Sequence, residues 1–342
     1  MSAEAVNRTE NLDLIIVGGG PAGLACAIEA KKRNWNFTVL EKGCVVHSIY
    51  RYPVNMIFFT SAELLEIGDI PMIVSDPKPN RMDGLKYYRR VVDHFDLPIR
   101  DYEEVTRVSG SEGDFTVRSV DRHKQRRTYR CAMLVIATGY YDNPNLLGIP
   151  GEDLPKVSHY YTEPHPYHRK KVAVIGGNNS AAEAALEIYR SGAEVTLIHR
   201  GPEPGRSIKY WVRPDIINRL KRGEIEAFFN SRVTEVRQRE ILLFTPQGEL
   251  ALEIDFVLAM TGYHPATEFL SSMGIEFDAE TLAPVHNAQT LETNVKGIFV
   301  AGAIVAGKMT NKIFIENGRF HGEQIFQVLP DARPALADPV LD

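Results

Sequence analysis

Two stretches of the chain pass from an aliphatic run through a glycine cluster into a helical pattern. Residues 12–17 are almost wholly apolar and lead into Gly18-Gly19-Gly20-Pro21-Ala22-Gly23. Leu24, Ile28 and several alanines then recur at helical spacing over 22–32, and Lys31-Lys32-Arg33-Asn34 closes that helix. A short strand at 37–41 follows. The pattern returns with a strand at 171–175, then Gly176-Gly177-Asn178-Asn179-Ser180-Ala181, a helix at 180–191 and a strand at 194–199. Continuous rather than alternating apolar runs mark parallel strands covered on both faces.

Elsewhere the period is two. Residues 104–109, 114–120 and 127–130 read as an antiparallel meander, and a second one covers roughly 225–256. Each leads into a buried strand and a Thr-Gly turn: Ala137-Thr138-Gly139 in one case, Met260-Thr261-Gly262 in the other. The same order of elements thus occurs twice, which is an internal repeat of a whole domain plan. Between the repeats, 43–80 is loop-rich, 81–95 is a helix with a mixed-charge face, and 140–168 is a crossing rich in Pro, Tyr and His. After the second repeat, Gly297-Ile298-Phe299-Val300-Ala301-Gly302 and a helix from about 311 to 328 can return to complete the first domain. The predicted fold is α/β, with two Rossmann-like domains of three layers (sheet, sheet, helix). The first is discontinuous, 1–158 and 273–342; the second, 159–272, is inserted in it.

Composition narrows the classes. A chain of 342 residues, 44% hydrophobic and 24% charged, suits two ordinary globular domains. A net charge of −5 argues against non-specific nucleic-acid binding, so the basic run from 118 to 130 reads as a solvated hairpin. No apolar run approaches the length of a membrane span, and the polar N-terminus has no secretory apolar core. The cytoplasm is the expected compartment. Three cysteines (Cys26, Cys44, Cys131) form neither a CxxC pair nor a zinc site, and no metal is expected.

The glycine turns carry the chemistry. In the first, Gly18 permits the tight turn, Gly20 lets backbone approach a phosphate, and Gly23 lets helix and strand pack closely. Glu41 ends the following strand, where a carboxylate can accept both hydroxyls of an unphosphorylated adenosine ribose. In the second turn Asn178 and Ala181 replace two glycines, and the strand ends in His199-Arg200, with Arg206 beyond. Positive charge there suits a 2′-phosphate. The first site therefore reads as FAD-binding and the second as NADPH-binding. Cys44, close behind Glu41, is a weak candidate for a redox thiol; Cys26 and Cys131 read as structural. His159, Tyr160, Tyr161, His165, Tyr167 and His168 could line a substrate entrance or pack between domains.

This arrangement resembles the two-dinucleotide-binding flavoproteins of the thioredoxin-reductase-like branch, over nearly the whole chain. A closer likeness lies in Glu41-Lys42-Gly43-Cys44-Val45-Val46-His47-Ser48-Ile49-Tyr50-Arg51, Leu65-Glu66-Ile67-Gly68-Asp69-Ile70-Pro71, Lys86-Tyr87-Tyr88-Arg89-Arg90, the second glycine turn, and Ile313-Phe314-Ile315-Glu316-Asn317-Gly318. These look like the YpdA-type family of NADPH-dependent flavoenzymes regarded as bacillithiol-disulfide reductases. The resemblance implies FAD contacts from Gly18, Gly20, Pro21, Ala22, Gly23, Glu41, Lys42, Ser48, Val105, Ala137, Thr138, Gly139, Gly302, Ala303, Lys312 and Ile313. It implies NADPH contacts from Gly176, Gly177, Asn178, Asn179, Ser180, Ala181, His199, Arg200, Arg206, Thr261 and Gly262. It further implies a small-molecule disulfide substrate and a homodimer or homotetramer, and a helix near 311 aimed at the flavin pyrimidine. Three departures stand out. The thioredoxin-reductase CxxC is missing, Ala22 stands where relatives often carry Cys, and Ala303 stands where an aspartate is usual. A ferredoxin or flavodoxin reductase, a flavin monooxygenase and a flavin-bearing sensor without turnover are the alternative readings.

Overall fold

The computed structural model describes residues 9–329 and 336. The chain divides into two compact units, each with its own sheet and core.

The first unit contains residues 1–51, 60–143 and 263–342; its ends, residues 1–8, 330–335 and 337–342, lie outside the described residues. Its elements begin with β1 (Glu10–Val17), α1 (Pro21–Lys32), β2 (Phe37–Leu40), α2 (His47–Arg51), α3 (Arg81–Phe95) and β3 (Ile99–Arg100). They continue with β4 (Glu103–Ser111), β5 (Asp114–Asp121) and β6 (Arg126–Ile136). The sheet runs β3-β2-β1-β6-β5-β4. The pairs from β3 to β6 are parallel, and β4 and β5 add an antiparallel meander. The predicted strand at 127–130 and the buried one after it are a single strand, β6. Its first half pairs with β5, and its last three residues pair with a late strand at Ile298–Val300. Leu12, Ile15, Val17, Phe115, Val117, Tyr129, Leu134 and Ile136 fill the core between these strands.

The second unit contains Tyr52–Phe59 and Pro144–Gly262. Here β7 (Val157–Ser158), β8 (Lys171–Ile175), α4 (Asn179–Arg190), β9 (Glu194–Ile198), α5 (Arg213–Lys221) and β10 (Glu226–Phe228) precede the meander. The meander is β11 (Arg232–Val236), β12 (Glu240–Thr245) and β13 (Gly248–Glu253), and β14 (Phe256–Ala259) follows it. The parallel sheet runs β10-β9-β8-β14-β7, with the antiparallel β11-β12-β13 as a separate layer. Residues 226–228, expected to open the meander, instead extend the parallel sheet beside β9.

The division differs from the predicted boundaries at both ends. Residues 144–158 belong to the second unit because Leu147, Ile149, Leu154 and Val157 pack on its core. Residues 263–272 belong to the first because Leu270 of α6 (Thr267–Ser271) is buried in that core. The eight-residue excursion at 52–59 was not foreseen. It is tied into the second unit by the Val54 N–H on the Thr162 carbonyl at 2.9 Å and by Lys209 Nζ on the Ile57 carbonyl at 2.9 Å.

The first unit closes with β15 (Ile298–Val300), a 3₁₀ turn at Gly302–Ala306, α7 (Ile315–Gly318) and α8 (His321–Val328). The single helix expected over 311–328 is thus two short ones. Helix α7 starts only at Ile315, where Asn317 Oδ1 accepts the Phe314 N–H at 2.8 Å, so no helix end lies at Asn311.

Candidate functional site: two glycine turns of one design

Both glycine turns are held by the same bonds. Gly18 N–H donates to the Leu40 carbonyl and Gly176 N–H to the Ile198 carbonyl, each at 2.9 Å. The strand after each meander donates back: Ala137 N–H to Val17 and Met260 N–H to Ile175, each at 2.8 Å. Gly18 (φ +111°) and Gly176 (φ +149°) adopt backbone that side chains disfavour. A Cβ on either would also lie 2.5 Å from the carbonyl oxygen of Ala137 or Met260. These two glycines are required by the turn itself.

Other positions stay open. A Cβ built on Gly20 or Gly139 would meet nothing within 4 Å, whereas one on Gly23 would overlap the Gly18 carbonyl. Gly20 is the N-cap of α1 and provides no side-chain cap, Pro21 occupies the first turn, and α4 likewise begins without a side-chain cap. Each helix therefore presents N–H groups without a side-chain cap and its positive dipole end beside its glycine turn, and at the first turn the space beside Gly20 is open. Thr138 Oγ1 is buried with no hydrogen-bond partner among the described residues, as expected where a polar group of a bound molecule completes the site. These features fit a dinucleotide at each turn.

The residue after the second strand differs in charge between the units. Glu41 is buried, and its two carboxylate oxygens accept Gly19 N–H at 2.7 Å and Gly43 N–H at 2.8 Å. Burial pushes its pKa up, and those two hydrogen bonds oppose the shift. In the second unit His199 takes the corresponding place, its ring lying against Gly177. Burial, then neighbouring Arg200, lowers its pKa and favours neutral imidazole, so the positive charge expected there comes from the arginines. Arg200 is exposed, and Arg206 is 93% exposed, 3.8 Å from Glu203.

The remaining sequence-derived positions fall into two groups. In the first unit, Ala22 lies against Gly302, where an added Cβ would come within 2.8 Å of the Ala22 methyl; Ala303 follows in the 3₁₀ turn. Ile313 lies near Gly318, itself beside Gly302. Lys42 is drawn to Asp142 at 3.0 Å, Ser48 is half-buried on α2, Val105 is buried in β4, and Lys312 is exposed. In the second unit, Ser180 and Ala181 begin α4, and Thr261 Oγ1 donates to the Asn145 carbonyl at 2.6 Å beside Gly262.

The thiols are not poised. Cys26 is fully buried, its pKa pushed up to about 12, and Cys131 is pushed up by burial as well. Cys44 lies 3.6 Å from His47 Nδ1, and burial followed by Glu41 and Asp101 raises its pKa. Of the histidine and tyrosine set of 159–168, His159, Tyr161 and Tyr167 make contacts within the second unit, while His165 and His168 are exposed. His159 pairs with Glu152 at 3.2 Å, Tyr161 donates to Glu187 at 2.7 Å, and Tyr167 packs edge-on against Phe256. Two residues escaped the sequence reading: Asp142, which gathers Lys42 and Arg51, and His321, whose Nδ1 accepts the Gly302 N–H at 2.9 Å. Neither stands in a local motif.

Two dinucleotide cradles of one design define a two-cofactor oxidoreductase. The chain belongs to the pyridine nucleotide-disulphide oxidoreductase family, whose model matches residues 15–302, and the cofactors of this class are FAD and NADPH. It is 47% identical over 312 residues to the bacilliredoxin reductase Bdr of Bacillus subtilis, covering 91% of this chain and 95% of that protein. Among solved structures it is similar to the bacillithiol disulfide reductase Bdr (YpdA) of Bacillus cereus, with TM-score 0.91 and 44% identity over 93% of this chain and 98% of that one. The Staphylococcus aureus enzyme of the same description gives TM-score 0.89 and 43% identity, with the same coverage.

Proposed function

We propose that this chain binds FAD at the first glycine turn and NADPH at the second, and reduces a low-molecular-weight disulfide of the bacillithiol type. The observation that carries the cofactor assignment is the contrast between buried Glu41 and the exposed Arg200 and Arg206. A carboxylate accepts ribose hydroxyls and repels a 2′-phosphate; guanidinium groups do the reverse. The substrate class rests on the names borne by relatives of 43–47% identity.

When bound, FAD supplies the two-electron step between nicotinamide and disulfide. The chain's own part is to bind and orient. The uncapped N-termini of α1 and α4 offset pyrophosphate charge, Glu41 holds the adenosine ribose, and Thr138 supplies a hydroxyl to the bound flavin nucleotide. With Ala22 in the first turn, no CxxC pair in the sequence, and Cys26, Cys44 and Cys131 each unpaired, two of them buried, the disulfide is reduced without a dithiol relay from the protein.

A homo-oligomer in the cytoplasm completes the proposal. Unpaired cysteines agree with a reducing compartment, and among the described residues no helix is long and apolar enough to cross a membrane. The test is steady-state NADPH oxidation under argon with bacillithiol disulfide, glutathione disulfide or cystine as acceptor. Bacillithiol disulfide is expected to be turned over fastest. Turnover that needs oxygen or a ferredoxin, and ignores every disulfide, would overturn the substrate assignment.

A further inference from the structure

The two asparagines of the second turn, Asn178 and Asn179, spend their carboxamides on a loop rather than leaving them open. Asn179 Oδ1 accepts the Lys209 N–H at 2.7 Å, and its Nδ2 donates to the Ser207 carbonyl at 3.1 Å. Asn178 Oδ1 accepts the Ser207 hydroxyl at 3.1 Å. Gly205 N–H donates to the Gly177 carbonyl at 2.7 Å. A Cβ on Gly205 would overlap Asn178 Oδ1, so residue 205 must be glycine for the loop to lie this close.

Arg206 sits between two of these anchored residues. The loop is pinned again beyond it, where Ile208 is buried in the core and Lys209 Nζ pairs with Glu183 at 2.7 Å. A long, exposed side chain such as Arg206 carries much rotamer entropy, and an anchored backbone removes part of the cost of ordering it on a phosphate.

We propose that Asn178 and Asn179 are positioning residues for cofactor choice, clamping residues 205–209 to the second glycine turn so that Arg206 is held for an adenosine 2′-phosphate. This rests on the reading of that turn as the NADPH site. The clamp acts only through Arg206 and therefore acts on NADP(H) and not on NAD(H).

The test is calorimetric titration of the FAD-loaded protein with NADP⁺ and NAD⁺, comparing wild type, N178A/N179A, G205A and R206A. R206A is expected to weaken NADP⁺ binding about tenfold and leave NAD⁺ binding unchanged, the size of one lost charge-assisted contact. N178A/N179A is expected to lose at least a third of that preference on a logarithmic scale. G205A keeps both amides but forces the loop away, and should do the same. Flavin content and melting temperature report whether each variant folds. An unchanged preference in both N178A/N179A and G205A, beside a reduced one in R206A, would overturn the clamp. Equal weakening of NADP⁺ and NAD⁺ would also overturn it, assigning the amides to a part of the site common to both. A wild type without NADP⁺ preference would remove the clamp together with the reading beneath it.

Discussion

Burial strips His321 of its charge. Its Nδ1 accepts the Gly302 N–H, so the proton of the neutral ring sits on Nε2, and burial with a smaller effect of His286 pushes its pKa down to about 4. The ordinary value is 6.5. Between these two values the unfolded chain binds more protons than the folded one. The stability contributed by this residue is therefore complete above pH 6.5 and is lost as pH falls toward 4. A shift of that size corresponds to on the order of 3 kcal/mol. His321→Asn can offer an acceptor at a similar position but does not titrate. Its melting temperature should vary less between pH 6.5 and 4 than that of the wild type; parallel curves would show that His321 is not the titrating group. At this scale the sequence revealed Glu41 and the glycines, because each belongs to a local strand–turn–helix motif. It concealed His321 and Asp142, whose partners Gly302, Lys42 and Arg51 are brought to them only by the fold.

Elements formed as the pattern predicts where local signal and tertiary pairing agree. Helices α1 and α4, the parallel strands beside them and α3 with its Asn80 capping box all lie within a residue or two of expectation. Elements with weak local signal were missed. Helix α5 buries one residue fully, Ile216, and β10 is a three-residue strand fixed by pairing with β9. The C-terminal helix breaks after Gly318, which packs against Gly302 and weakens the helix at that point. The following helix, α8, reaches α1 through Gly322, where an added Cβ would lie 2.7 Å from the Ala25 carbonyl oxygen. G322A should therefore push α8 off α1 and destabilise the protein by about 1–3 kcal/mol, as overpacking does. Thermal unfolding followed by circular dichroism checks this. A melting temperature equal to or above that of the wild type would mean the interface accommodates a methyl group.

At the scale of the molecule, one domain plan is used twice with its polarity reversed. The repeat was legible because both glycine turns and both Thr-Gly strands stand in the same order. The unit boundaries were not, because residues 144–158, 263–272 and 52–59 join their units by packing that has no mark in the local pattern. The proposed function depends on both copies: buried Glu41 is proposed to select an unphosphorylated ribose at one, and exposed Arg200 and Arg206 a phosphorylated one at the other. Anaerobic absorbance spectroscopy of the purified protein tests this most directly. The protein should carry FAD and be yellow. NADPH should bleach the flavin band at least about tenfold faster than NADH at equal, subsaturating concentration, as one charge-assisted phosphate contact allows. A protein that takes up no FAD, or a flavin reduced equally fast by NADH and NADPH, would contradict the assignment of opposite ribose chemistry to the two turns.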